Sequence, residues 1–533
     1  MPISTSIKAN LYKDSVALMR MAQVVLAQPG VRQATLMMGT PANKAILTQA
    51  GLHSAQSESA RPGDLMIVVD ADTAEQMSAA NAQFAELLEG NREASGDAAS
   101  TARMAPRSIA TALPGAHAQR VTLAQISVPG PYAAAEAMKA LRNGLDVFLF
   151  SDNVPLAQER ALKLLARERG LLVMGPDCGT AIVNGTPVGF ANVVRRGPIS
   201  LVGASGTGLQ EATCRIHGLG GGVRHAIGTG GRDVSAEIGG ITMLQALALL
   251  ADDAATRVIA IVSKPPAPEV ARQVLDRLRE IGKPSVVLFL GADLSRERFP
   301  HGIVAVSTLY DAAAAAVALA EGHAFDAPVS ARQWALAPED DARRFAPAQR
   351  YLRALYSGGT FATEAQLLWR ARGFDVHSNA PVGARAPQDT RVGGGQHIAL
   401  DMGGDEFTVG RPHPMIDPQP RVARLLEEAA DPSTAVIVLD VVLGYGAHPD
   451  PAGALAPAIA HAKAACAREG RHLAVVSFVC GTEDDPQRLS VQQSTLREAG
   501  ALVAPNSTVA AMLAGEIVAC AHIDADRRRA VRR

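Results

Sequence analysis

The sequence predicts an α/β protein in which several doubly wound parallel-sheet domains follow a small N-terminal α/β domain. Three observations lead there. From Arg120 onward, short apolar runs of buried-strand length alternate with helix-length segments, the pattern of a parallel sheet covered by helices. Most of these runs end in a polar or glycine-rich tip, and in such sheets ligands bind beyond the carboxyl ends of the strands. Finally, 533 residues with 48% apolar content exceed what one core can organise, so three or four domains are expected.

Residues 1–90 read as three strand–helix pairs of a ferredoxin-like domain: Ile7–Tyr12 with Ser15–Gln28, Ala34–Met38 with Ala42–Ala50, and Leu65–Asp70 with Thr73–Leu88. Thr40 and Pro41 look like an N-cap and a first-turn proline. Residues 91–107 are small, polar and patternless, hence a linker. The next domain, 108–196, has strands at Val121–Val128, Asp146–Phe150 and Leu171–Met174, with helices at Ala133–Arg142 and Leu156–Arg169. Its tips are Ser151-Asp-Asn153 and Gly175-Pro-Asp-Cys-Gly-Thr180.

The domain at 197–321 opens with the apolar run Ile199–Val202, broken by Gly203-Ala-Ser-Gly-Thr-Gly208 before a helix starts at Leu209. A helix start presents unpaired N–H groups and a positive dipole end, so Ser205, Gly206, Thr207 and Gly208 form a candidate cradle for a phosphate or carboxylate. The spacing is neither a Walker loop nor a dinucleotide fingerprint. A tight strand–turn–helix unit that binds nothing is the competing reading. Further on come Gly228-Thr-Gly-Gly-Arg-Asp233, a helix at Met243–Leu250, the strand Val258–Val262 and Ser263-Lys-Pro-Pro266. The pairs Pro268–Glu280 with Ser285–Leu290, and Ile303–Val306 with Asp311–Ala320, complete the sheet. Arg232, Asp233 and Lys264 read as an anion clamp or as a surface ion pair.

A linker at 322–349 leads to a third α/β domain, 350–522, and a basic tail, 523–533. Its tips are Ser357-Gly-Gly-Thr360, Met402-Gly-Gly404, Gly444-Tyr-Gly446, Gly481-Thr-Glu-Asp-Asp485 and Asn506-Ser-Thr508. Thr408–Pro418 is expected to be an extended loop, because its prolines disfavour helix. In it Arg411, His413 and Asp417 suit substrate capture or a stiff lid without chemistry.

Composition narrows the class. Fifty-one basic against 52 acidic residues, 4% aromatics, and no like-charge block beyond Arg527–Arg529 argue against nucleic-acid or membrane-surface binding. The N-terminus lacks a leader pattern and no stretch offers about 18 uninterrupted apolar residues, so a cytoplasmic protein is expected. Five scattered cysteines suggest neither a zinc site nor a disulfide framework. Cys178, in a turn flanked by Gly and Pro, is either a nucleophile or a buried small hydrophobe.

Gly175-Pro-Asp-Cys178, Gly203-Ala-Ser-Gly-Thr207, Ile227-Gly-Thr-Gly-Gly-Arg-Asp233 and Gly282-Lys-Pro284 resemble the α subunit of succinyl-CoA synthetase. Leu400-Asp-Met-Gly-Gly404 and Asp440–Gly446 resemble the C-terminal domain of its β subunit. The nearer resemblance is to the FdrA family, which fuses these parts behind an extra N-terminal domain. Met37–Lys44, Ser151–Val154, Leu172–Thr180, Val262–Pro266, Thr408–Pro418 and Gly481–Pro486 carry it across nearly the whole chain.

The resemblance implies a Rossmann-like CoA-binding domain at 108–196 and flavodoxin-like ligase domains at 197–321 and 350–522. The phosphohistidine loop of succinyl-CoA synthetase has no counterpart: after Leu290-Gly291 the chain runs Ala292 to Gly302, with His301 the only local histidine and no Gly-His-Ala-Gly motif. The ATP-grasp domain is also lacking. The family's link to allantoin breakdown implies carbamoyl transfer between oxalurate and phosphate, as part of an oligomer with separately encoded partner subunits. No cofactor is required for that; CoA and a magnesium-bound nucleotide belong to an acyl-CoA ligase alternative, and a non-catalytic scaffold is the third. Ser205, Arg232 and Lys264 would be catalytic. Asp177, Cys178, Gly206, Thr207, Gly208, Gly230, Gly231, Asp233, Arg411 and His413 would hold phosphate and substrate, with no metal.

Overall fold

A computed structural model describes residues 3–9, 11, 15–49, 51–93, 108–116, 121–292, 294, 299, 302–325, 338–383, 386–393, 395–408 and 412–531. The chain divides into two compact units, Met1–Ala112 with Val409–Pro412, and Leu113–Thr408 with His413–Arg533.

In the first unit, strands Ile3–Lys8, Leu65–Ala71 and Val31–Met38 lie side by side in that order, antiparallel throughout. The central strand, LMIVVDA, is the apolar one and is almost wholly buried; helices Ser15–Leu26 and Ala74–Glu93 supply Leu18, Val25, Ala80 and Phe84 to the same core. The first strand begins four residues before the expected Ile7, because Ser4, Thr5 and Ser6 pair along Leu65–Ala71 even though they carry little apolar signal. Here pairing to a buried neighbour outweighs local pattern.

Among the described residues the second unit contains three sheets. Leu123–Ile126, Asp146–Leu149 and Val173–Met174 make a short parallel sheet. The next has seven strands, in the order Ile303–Ala305, Ser285–Phe289, Val258–Ser263, Ile199–Gly203, Val223–Gly228, Thr180–Val183 and Thr186–Gly189. Its first five strands are parallel; the last two form a hairpin added antiparallel at the edge. That hairpin turns on Asn184 and Gly185, both at positive φ, the two-residue turn that Asn-Gly favours. Thr180 therefore starts a strand and does not end a tip. The third sheet runs Val376–His377, His397–Asp401, Tyr351–Tyr356, Thr434–Val442, Ala474–Cys480 and Leu502–Ala504, all parallel.

Between the seven-stranded and the six-stranded sheets lies one helical layer. Gly206–Gly218 and Leu309–Ala320 come from the former sheet's segment, Gly359–Ala371 and Ser507–Val531 from the latter's, and one continuous core joins them to both sheets. A helix covered on both sides cannot be amphipathic. Accordingly nine of the side positions of Gly206–Gly218, from Thr207 to Cys214 and Ile216, are buried, and Leu309–Ala320 is rich in small alanines that let neighbours approach.

Candidate functional site

Parallel register brings the tips level. Gly203 stands opposite Gly228 and Tyr356 opposite Asp401, so the loops that follow them open on common edges. Ser205 is extended (φ −159°, ψ 107°) and caps Gly206–Gly218, its Oγ accepting the Gly208 N–H at 3.1 Å. The same hydroxyl is hydrogen-bonded to Thr360 Oγ1, one residue into Gly359–Ala371. The two helices thus meet start to start. A Cβ on Gly358 would run into Thr207, so only glycine permits this approach.

This changes the expected role of Ser205. Its side chain is buried and committed to a cap and an interdomain clasp. The exposed residue of the cradle is Gly206, and the N–H groups of Gly206 and Thr207 have no acceptor within their own helix. They are the donors available to an oxyanion.

Around this junction lie Gly231, Lys264, Gly359, Asp401, Gly403 and His413, each partly or fully exposed. Lys264 Nζ lies 4.0 Å from where a Cβ of Gly231 would stand. Asp401 Oδ1 accepts the Gly403 N–H at 3.0 Å, and Oδ2 lies 2.5 Å from the Cβ position of Gly359. Burial pushes the Asp401 carboxyl above the usual carboxylate range, and Lys264 pulls it back. His413 Nδ1 accepts the Met415 N–H at 3.2 Å, which leaves the proton on Nε2, 2.7 Å from the Cβ position of Gly403. Burial holds its pKa down at about 4, so the ring is a neutral N–H donor at physiological pH. Phe190 packs beside it, ring centres 6.1 Å apart.

Other expected residues serve the framework. Asp233 is fully buried: its carboxylate accepts the N–H groups of Thr242 and Met243 at 3.1 and 2.9 Å, at the start of helix Ile241–Asp252, and pairs with Lys163 at 2.8 Å. Arg232 binds Glu159 at 2.9 Å and the Val154 carbonyl at 2.7 Å, so it faces the protein as much as any ligand. Lys163, also bound to Glu159 at 2.9 Å and to the Thr229 carbonyl at 3.0 Å, is the buried hub of this network. A lysine in a helix looks solvent-facing in sequence, and nothing local marks Lys163 as buried. Cys178 is buried, its thiol directed at the Thr180 and Gly228 carbonyls and pushed by burial up to about 12, which leaves no thiolate to attack a substrate. Asp177, at φ 55°, is exposed in the same turn, and Gly230 packs against the Pro176 carbonyl. Arg411 and His301 lie outside the described residues. The segment expected to be extended begins in the helix Asp405–Thr408, and at its far end Ile416 and Asp417 both donate to the His413 carbonyl, because Pro414 sits where a helical turn tolerates it.

These features belong to an α/β protein whose family models give CoA-ligase-like domains. The chain matches the CoA-ligase family model over residues 355–517 and a CoA-binding domain model over 195–291, the segment read above as ligase-like. Residues 1–105 match a model described as AllF, heavy metal-associated domain. The uncharacterized protein YahF of Escherichia coli (strain K12) is 42% identical over 528 residues, 97% of this chain and 99% of that one. The chain belongs to the FdrA family of succinyl-CoA synthetase-like proteins. The mitochondrial succinate–CoA ligase [ADP-forming] subunit alpha-2 of Trichomonas vaginalis is 32% identical over 111 residues, 20% of this chain and 36% of that subunit. A dinucleotide-forming acetyl-coenzyme A synthetase of Ca. Korarchaeum cryptofilum aligns over 77% of this chain and 85% of its own at 15% identity, with a TM-score of 0.29.

The residues matched by the heavy-metal description are poor in the usual soft ligands. Residues 1–105 contain no cysteine and one histidine, His53, which pairs with Glu58 at 3.0 Å. Among the described residues no three His, Cys, Asp or Glu side chains come together as a metal site. No helix among them is long and apolar enough to cross a membrane.

Proposed function

We propose that the protein transfers a carbamoyl group between phosphate and an amide nitrogen, the oxalurate–oxamate reaction, together with separately encoded subunits. The observation that carries this reading is the junction at Gly206: an exposed helix start for an oxyanion, with Lys264 following the neighbouring strand and the neutral N–H of His413 on the loops that follow the facing sheet. The N–H groups of Gly206 and Thr207 hold a phosphate, Lys264 offsets its charge, and the His413 proton bonds the carbonyl oxygen on which negative charge develops. No covalent enzyme intermediate is needed, in keeping with the missing histidine loop after Gly291.

The matches to CoA-ligase and CoA-binding models favour a second reading, a nucleotide-linked acyl-CoA ligase. The same Gly206 donors suit a phosphate of CoA or of a nucleotide. One experiment separates the two. Full-length protein with its co-purifying subunits is given oxalurate and phosphate, and carbamoyl phosphate is trapped. Turnover without CoA or nucleotide supports the transferase; inert enzyme that releases phosphate from ATP only with CoA supports the ligase. A scaffold predicts that Gly206→Pro leaves the activity of the complex unchanged.

A further inference from the structure

We propose that Asp401 is the catalytic residue that moves the proton on the nitrogen of the carbamoyl acceptor. The inference rests on the transfer reading above and adds to it the group that an amide nitrogen requires. Phosphate leaves or attacks as an anion without help. An amide nitrogen does neither: it is too weak a nucleophile while it keeps its proton, and too basic a leaving group without one.

Asp401 is the acid placed to meet this need. It ends strand His397–Asp401, level with Tyr356, so its side chain reaches the start of helix Gly359–Ala371. One oxygen is fixed by the Gly403 N–H at 3.0 Å, and the other stands against Gly359, beside the residue whose hydroxyl clasps Ser205. Asn379 pins its backbone on both sides, donating to the Asp401 carbonyl and accepting its N–H, each at 2.9 Å. The carboxylate is thus held in place on a residue that is only partly buried.

The charges around it come from three elements. Lys264 at the end of Val258–Ser263 favours the carboxylate; Asp440 on Thr434–Val442 and Glu406 on Asp405–Thr408 oppose it. Asp440 is itself paired with the buried Arg421 at 2.9 Å. His413 cannot share the task, since its Nδ1 is occupied by the Met415 N–H and its proton sits on Nε2. Cys178 is sealed among backbone carbonyls.

The step balances as follows. In the synthetic direction the acceptor N–H gives its proton to Asp401 while the nitrogen electron pair forms the N–C bond to the carbamoyl carbon. The C–O bond to phosphate breaks, and its electron pair leaves on the phosphate oxygen. In phosphorolysis a phosphate oxygen forms the C–O bond, the C–N bond breaks, and the nitrogen takes up the proton carried by Asp401.

The test pairs Asp401→Asn with two donors, oxalurate and 4-nitrophenyl carbamate, in phosphate, using full-length protein with its co-purifying subunits. The phenolate leaves without a proton. Asp401→Asn is expected to slow oxalurate phosphorolysis about 10²- to 10⁴-fold and to abolish its pH dependence on this group, while 4-nitrophenyl carbamate turns over within about threefold of wild type. Asp401→Glu restores part of the oxalurate rate. Equal losses on both donors, or an unchanged oxalurate pH profile, overturn the role of Asp401 and leave the transfer reading standing. Wild-type protein inert toward both donors overturns the transfer reading, and this inference with it.

Discussion

Glu364 makes the interface between the two large sheets sensitive to pH. It sits in helix Gly359–Ala371 with 2% of its surface exposed. Its carboxylate accepts the Leu309 N–H at 2.8 Å, the Thr508 hydroxyl at 2.9 Å and the Ser507 hydroxyl at 2.7 Å. Across the interface Glu211 accepts the Ser507 N–H at 3.1 Å. Each sheet's helix thus caps a helix belonging to the other, and two acids face each other in a buried layer. Burial, reinforced by Glu211 and opposed by the three hydrogen bonds, lifts Glu364 from 4.5 to about 7.

The sign follows from linkage. The unfolded chain releases this proton near pH 4.5, whereas the folded protein keeps it until about pH 7. The stabilising contribution is therefore complete below pH 4.5 and is lost as pH rises to 7, an amount of about 3 kcal/mol. Glu364→Gln keeps an acceptor for Leu309 and cannot ionise. Urea unfolding at pH 5, 6, 7 and 8, followed by Trp369 fluorescence in a Trp334→Phe background, reads the difference, since Trp369 lies on the same helix with its indole N–H on the Ala511 carbonyl at 2.8 Å. The variant should match the parent at pH 5 and exceed it by about 3 kcal/mol at pH 8. Parallel curves across that range would refute the argument.

Four further outcomes are expected. Ser205→Ala should lower stability by about 1–2 kcal/mol in thermal or urea unfolding, because it removes a helix cap and the bond to Thr360. Gly206→Pro should leave stability nearly unchanged, since a first-turn proline is tolerated, yet cost about 10²–10³-fold in rate by deleting one donor. Lys163→Met strands Glu159 and Asp233 without their buried partner and should destabilise by about 3–5 kcal/mol, visible as a lowered melting temperature. Cys178 should resist iodoacetamide in the native protein and react only after unfolding, as peptide mapping by mass spectrometry would report.

Much of the fold can be read in the sequence because apolar runs and their glycine-rich ends are local signals. Ile199–Gly203 and Val258–Ser263 are fully buried strands whose composition alone announces them. Even the short hairpin at Asn184-Gly185 carries its two-residue turn signal in the chain. The positions of Gly206 and Lys264 just after strand ends are likewise set by the order of residues.

Which side chains face a ligand is a different matter, decided by contacts between segments far apart in the chain. Ser205 is withdrawn by Thr360, 155 residues on, and Asp233 by Lys163, 70 residues before it. Asp401 gains its place only where the strand of one sheet stands level with the helix start that meets Gly206–Gly218. Periodicity tells which residues are buried against their own sheet. It carries no information about a second sheet closing over the same helices, and the low dielectric of that closed layer is what raises the pKa of Glu364, while local enclosure raises that of Asp401 and lowers that of His413.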